Sequence, residues 1–201
     1  VMFDLQPVLS GDLVGVRPLL ATDFEALYRV ASDPLIWVQH PASDRHERRV
    51  FHEFFAQALA SGGALAVTSP AGEVIGSSRF HGYDPQRSEV EIGWTFLSRA
   101  YWGGPTNGNL KALLRDHAFR FVERIVFLVA PDNRRSQRAL EKVGAVRAGT
   151  RLDGSGRDSF VFEMRRSPFS TQASGLVDQN DGALAVPPHR SDVEAHYVPR
   201  R

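Results

Sequence analysis

The run RIVFLVA, residues 124–130, is apolar without alternation and is closed by Pro131. A strand of that kind is buried on both faces, so the sheet that holds it must be covered on both sides. The flanking sequence supplies the cover. Before it, EVEIGWTFL (89–97) alternates, with Val90, Ile92, Trp94 and Phe96 on one face and Glu89, Glu91, Gly93 and Thr95 on the other. Between the two lies YWGGPTNGNLKALLRDHAF (101–119), a Gly/Pro turn that passes into a helix burying Leu110, Leu113, Leu114, Ala118 and Phe121. After it, NRRSQRALEKVG reads as a helix from Asn133 to a stop at Gly144.

The rest of the chain fits the same plan. DLVGVRPL (12–19) reads as a first strand closed by Pro18, and ATDFEALYRVASDP (21–34) as a helix with Thr22 and Glu25 at capping-box spacing, ended by Asp33-Pro34. A second helix starts near Asp44 and Glu47, carries Val50, Phe51, Phe54, Phe55 and Ala58 on one face, and stops at Gly62-Gly63. ALAVTS and VIGSSRF form a hairpin in which Gly76 marks a bulge; AVRAGTRL and RDSFVFEM flank the turn DGSG. The order β-α-α-β-β-β-α-β-α-β-β predicts an α/β fold, a mixed sheet with helices on its faces. Residues 167–201, with four prolines and few residues at any core period, read as an appended tail, which leaves 1–166 as the domain.

Charge and composition remove several function classes. With 24 basic and 23 acidic side chains the net charge is +1, so neither a nucleic acid nor a membrane is an expected partner. The absence of cysteine excludes disulfides, thiolate metal sites and a cysteine nucleophile, and no metal is expected. The N-terminal residues lack a signal-peptide pattern and no apolar run approaches the ~20 residues of a membrane span, so the expected location is cytoplasmic. The basic residues are nearly all arginine; Lys111 and Lys142 are the only lysines.

A tight glycine turn at a helix N-terminus leaves backbone N–H groups free to meet an anion, with the helix dipole adding positive charge. Gly103 to Gly108 has that character. A nucleotide P-loop would need Lys then Ser/Thr where Asn109 and Leu110 stand, and a dinucleotide fingerprint would need glycine in place of Pro105. Taken alone the stretch is a phosphate cradle or a plain turn.

EIGW before the loop and N-x-x-S-x-x-x-x-E-K-x-G after it (Asn133, Ser136, Glu141, Lys142, Gly144), with the element order from Leu13 to Met164, resemble the GNAT family of acyl-CoA-dependent N-acetyltransferases. The likeness is greatest to the branch of ribosomal-protein and antibiotic N-acetyltransferases. The resemblance implies a mostly antiparallel central sheet with helices on both faces. It also implies a splay between two central parallel strands, at Glu91–Leu97 and Ile125–Ala130, where the pantetheine arm of acetyl-CoA runs. It assigns the coenzyme to Trp102, Gly103, Gly104, Thr106, Asn107, Gly108, Asn109, Asn133 and Arg138, with Arg134 and Arg135 facing the 3′-phosphate or solvent. Pro105 and Asn107 stand where the family pattern has glycines. Pro105 offers no N–H, and Thr106 or Asn107 is the expected replacement donor.

Acylation of an amine by a thioester needs a base for the ammonium, donors for the oxyanion and a partner for the thiolate. By resemblance the base is Glu91, with Glu89 as substitute; the alternative is that both are the solvated half of a strand. Ser136, at the third position of a helix capped by Asn133, is the thiolate partner or only a capping residue. His117 falls on the buried stripe and is expected in the core. Trp37, His40, Phe80 and Tyr83, with His81, are expected to bind the acceptor, unless Trp37 and Phe80 seal the core. This surface is not strongly acidic, which disfavours a polycationic aminoglycoside and leaves a small amine, an amino acid or a protein N-terminus. The expected reaction transfers acetyl from acetyl-CoA to a primary amine by direct attack in a ternary complex, with a homodimer left open. Two other readings remain: a non-catalytic acyl-CoA sensor, suggested by Pro105 and Asn107, and a transferase using a bulkier acyl-CoA.

Overall fold

The structure, a computed structural model, describes residues 2–167, so the expected tail lies outside the described residues except for Ser167. Eight strands form one sheet: β1 (Leu9–Ser10), β2 (Gly15–Pro18), β3 (Ala64–Thr68), β4 (Val74–Asp84), β5 (Glu89–Leu97), β6 (Arg124–Val129), β7 (Val146–Leu152) and β8 (Asp158–Arg165). Their spatial order is β1-β2-β3-β4-β5-β6-β8-β7, antiparallel throughout except for β5 and β6, which run parallel. Four helices join them: α1 (Phe24–Ala31), α2 (Arg48–Ala60), α3 (Thr106–Ala118) and α4 (Arg134–Lys142). This is the expected mixed, mostly antiparallel α/β architecture, with one addition, the two-residue β1 that pairs with β2.

The apolar residues divide into two cores, one on each sheet face. Leu110, Leu114 and Ala118 of α3 and Leu140 of α4 pack on Val90, Ile92, Ile125 and Phe127. Leu27 and Ala31 of α1 and Phe51, Phe54, Phe55 and Ala58 of α2 pack on Ala64, Ala66 and Phe96. The expected helical stripes therefore bury for the most part, with Val50, Leu113 and Phe121 half-buried, and the middle of β6 is covered on both sides. His117 is in the first core, its Nε2–H donating to the Asp4 carbonyl at 2.7 Å among Phe3, Phe80 and Phe121.

Two local expectations need correction. Thr22 and Glu25 form no capping box: the Leu20 N–H donates to the Asp23 carboxylate at 2.9 Å, Asp23 also pairs with Arg17, and Glu25 pairs with Arg48. Asp23 wins because it reaches an amide and a guanidinium at once. The second correction concerns β5. Arg79 faces Gly93 across the ladder and Ser77 faces Phe96, so β5 carries one residue more than β4 between them. The extra residue makes a bulge, with Trp94 at φ 50°. Alternation holds from Glu89 to Gly93 and then slips. Trp94 and Phe96 join the α1/α2 core rather than that of Val90 and Ile92, and Thr95 turns toward α3. The bulge expected near Gly76 is present, where the β3–β4 register shifts between Val67 and Thr68.

Candidate active site

Strands β5 and β6 pair at Glu89↔Arg124, Val90↔Ile125 and Glu91↔Val126, and there the pairing ends. Both strands continue, to Leu97 and Val129, so they diverge into a V whose facing edges form no ladder with each other, while β4 and β8 still pair with the outer edges. Two clefts meet in this V. One, of about 850 Å³, is walled by the Gly103–Pro105 turn, Asn107, Gly108 and the α4 residues Arg134, Ser136 and Arg138. The other, of about 570 Å³, is walled by Arg45, Arg79, Glu91, Lys111, Phe127 and Asp153. Trp37, His40, Thr95, Asn107, Asn133 and Ser136 border both, so the two form one passage.

The first cleft fits a phosphate-bearing ligand. Gly103 has φ +74°, and a Cβ on Gly103, Gly104 or Gly108 would meet nothing within 4 Å, so the turn presents bare backbone. Pro105 is the N-cap of α3, and the first amide to find an acceptor is Asn109, on the Pro105 carbonyl at 2.9 Å. The N–H groups of Thr106, Asn107 and Gly108 are left without intrahelical acceptors, at the positive end of the helix dipole. Trp102 props the turn, its Nε1–H donating to the Leu97 carbonyl at 2.9 Å while the Arg135 guanidinium stacks 4.2 Å from its ring. Arg135 is pinned there by the Ile36 carbonyl at 2.5 Å, so Arg134, Arg138 and Lys142 are the exposed cations of the opposite wall. Two assigned coenzyme residues do not face the cleft. Thr106 is buried, and the Asn109 side chain turns back to accept from the Leu13 N–H at 3.4 Å.

On α4, the Asn133 side chain accepts from the Ser136 N–H at 3.2 Å, as its capping position predicts. This holds Ser136 at the junction of the two clefts with its hydroxyl available.

Glu91 sits at the crotch of the V. Burial pushes its carboxyl up to about 7, against the opposing fields of Arg151 and Arg79. Glu89, its expected substitute, is structural: only 4% exposed, it binds Arg124 at 2.7 Å and Arg151 at 3.2 Å. Of the four residues assigned to the acceptor, two are at the site. Trp37 forms a wall and is also core, its Nε1–H donating to the Ala31 carbonyl at 2.7 Å. His40 accepts the Ala42 N–H at Nδ1 (2.9 Å), and burial with the nearby Arg45 pushes it down to about 4, so it is neutral. Phe80 and Tyr83 are away from both clefts, packed around Phe3 on the α3 side. Phe80 faces the core because it pairs with Ile92 in the β4–β5 ladder.

Sequence reasoning missed Lys111. It is 7% exposed, donates from Nζ to the Thr95 hydroxyl at 2.9 Å, and lies 5.0 Å from the Phe127 ring centroid. Thr95 can accept this bond because its own hydroxyl also meets Ser78 Oγ at 2.8 Å. Desolvation pushes Lys111 down to about 7. A signal for it exists in the sequence: Lys111 stands four residues after Asn107 and three before Leu114, on the inner helical stripe, in a chain with only two lysines. A lysine whose pKa falls on folding leaves the unfolded chain holding more protons above about pH 7, so its destabilising effect is greatest at and below that pH and fades toward pH 10.5. Lys111→Met should therefore raise thermal stability at pH 6–7 by on the order of 2 kcal/mol, about 4–8 °C in Tm, with a smaller gain at pH 9. A Tm that falls equally at both pH values would mean that the Thr95 bond outweighs the buried charge.

The comparisons with known proteins show the family and the fold. Residues 14–146 match the acetyltransferase (GNAT) domain. A presumed acetyltransferase from T. thermophilus is 30% identical, with 82% of this chain and 92% of that chain covered, at a TM-score of 0.67. Mycobacterium smegmatis RimJ, solved in complex with CoA-disulfide, is 20% identical over 76% of this chain and 81% of its own, at 0.61. Vibrio cholerae spermidine N-acetyltransferase, solved with CoA and spermine, is 14% identical over 77% and 96%, at 0.60. The last two are likenesses of fold. No curated protein matched the sequence.

Proposed function

We propose, on the premise that this chain belongs to the GNAT family of acetyltransferases, that it transfers an acetyl group from acetyl-CoA to a primary amine by direct attack in a ternary complex. The observation that carries this reading is the placement of a carboxyl with a pKa of about 7 where the parallel pair opens. The first cleft takes the coenzyme, its pyrophosphate at the Gly103–Gly108 turn and its arm in the V, and the acceptor enters from the second. Glu91 takes one proton from the substrate ammonium. The freed amine attacks the thioester carbonyl carbon, the C–S bond breaks, and the second amine proton passes to the thiolate sulfur through the Ser136 hydroxyl. The products are an amide, CoA thiol and the proton on Glu91, which returns to solvent. Backbone N–H groups of β5 that the sheet leaves unused are the donors for the oxyanion.

Pro105 favours a second reading, a domain that binds acyl-CoA without turnover, because the loop lacks one amide there. Calorimetric titration with acetyl-CoA, CoA, ATP and NAD in parallel, followed by thiol release over a panel of amines, tests both. The expected result is saturable binding of the two CoA species alone, with thiol release dependent on an amine. Binding without release from any amine would leave the sensor. Absence of acetyl-CoA binding would remove both readings.

A further inference from the structure

Three guanidinium groups line the second cleft with no carboxylate within ion-pair distance among the described residues; Arg157 is exposed, while Arg45 is half-buried and Arg79 buried. Arg79, on β4, is 7% exposed, and its Nε is buried with no hydrogen-bond acceptor. Its guanidinium lies 4.5 Å from the Trp94 ring centroid and 5.8 Å from that of Phe54. Arg45 shares the Phe54 ring, at 4.3 Å from its centroid, and lies 5.2 Å from that of Trp37. Its nearest polar neighbour is Nε2 of the neutral His40, at 3.3 Å, which carries the ring proton because Nδ1 accepts from Ala42. Elsewhere in the fold, buried carboxylates hold their arginines in ion pairs: Asp23 with Arg17, and Glu89 and Glu163 with Arg124.

Two like charges drawn out of water without an anion are costly, and a fold retains them where something else supplies the charge. The nearby carboxyls do not supply it: Asp44, the residue before Arg45, is exposed and acts on it only from beyond ion-pair distance. One Asp153 oxygen is taken by its own loop, accepting from the Ser155 and Arg157 amides. Glu91 must become neutral each time it accepts a proton from the acceptor. The aromatic faces of Trp37, Phe54 and Trp94 hold the two cations in place but leave them unneutralised.

We infer that the acceptor is an amine that also carries an oxyanion, a carboxylate or a phosphate, and that Arg45 and Arg79 hold this anion while the amine reaches Glu91. The inference rests on the transferase reading above and names its substrate class. Its geometry suits a small molecule. Arg79 faces Gly93 across the ladder and Glu91 stands two residues along the same face, a diagonal of about 7–8 Å. Amine and anion are then a few carbons apart. A polycation would bring more positive charge to a pair of arginines.

The test is calorimetric titration of the full chain, saturated with CoA, with four probes: γ-aminobutyrate, O-phosphoethanolamine, ethanolamine and putrescine. One of the first two should bind at least about 10-fold more tightly than either of the last two, and which one it is separates carboxylate from phosphate. Arg45→Met and Arg79→Met should each weaken that binding about 30-fold and leave the Kd for CoA unchanged. Arg45→Met carries the test if the more enclosed Arg79 variant does not fold. Ethanolamine or putrescine binding as tightly, neither anionic probe binding, or a preference that survives both substitutions would overturn the inference. Thiol release from acetyl-CoA with ethanolamine or putrescine as good acceptors would overturn it while keeping the transferase. Failure of acetyl-CoA to bind removes the transferase and sensor readings, and titration of the same probes into the free chain then shows separately whether Arg45 and Arg79 still hold an amine that carries an oxyanion.

Discussion

Glu91→Gln should lower kcat/KM by about 100-fold or more, the usual worth of a positioned general base. Glutamine keeps the size and polarity of the side chain and removes only its capacity to take a proton. Burial holds the Glu91 carboxyl near 7, so in the wild type the basic form accumulates as pH rises through that value. The rate should rise with it, on a limb centred at about pH 7. In the glutamine variant that limb should disappear while the affinity for acetyl-CoA stays the same. Lys111 also titrates near 7, and the comparison of the two profiles separates them, because Glu91→Gln leaves the lysine in place. A variant within threefold of wild type, with its pH limb intact, would remove Glu91 from the mechanism.

The largest loss of stability is expected at Gly76. A Cβ there would stand 2.1 Å from the Phe96 carbonyl oxygen and 2.8 Å from Leu97 Cδ2. The first of these is backbone and cannot swing aside, so β4 and β5 would have to part at the place where the β5 bulge begins to rejoin the ladder. Gly76→Ala should cost about 3 kcal/mol, a fall in Tm of about 6–12 °C by thermal denaturation. Gly104→Ala is the control: its Cβ would meet nothing within 4 Å, and its Tm should stay within about 2 °C of wild type. Equal behaviour of the two variants would mean that β4 and β5 separate more readily than their packing indicates.

The elements of this fold were legible because its helices and most of its strands carry their burial in local periodicity. Phe51, Phe54, Phe55 and Ala58 mark one side of α2 whatever they pack against, and the unbroken apolar run of β6 demands cover on both faces. The site was legible where it rests on local geometry, as with the Asn133 cap that sets Ser136 and the glycines of the turn. It was not legible where distant strands decide. Phe80 looks like a loop aromatic beside His81, yet its partner in the ladder is Ile92, which commits it to the core. Nothing in the local sequence marks Arg79, which β5 and α2 enclose with Trp94 and Phe54. Glu89 and Glu91 share a face and an alternation, and only Arg124 and Arg151 separate a structural anion from an available one.

The extra residue at Trp94 is, in effect, a change of parity. A strand sends its side chains to its two faces in strict turn, so adding one residue to the count reverses the assignment of every residue beyond it. Through that reversal Trp94 lies beside Arg79 on one face of the sheet, while Thr95 meets Lys111 on the other. Removing Trp94, the one residue between Gly93 and Thr95, would restore the plain alternation: Thr95 would still turn toward α3, and Arg79 would lose the ring beside it. The pairing of these side chains is thus fixed by how many residues the strand contains as well as by which ones they are.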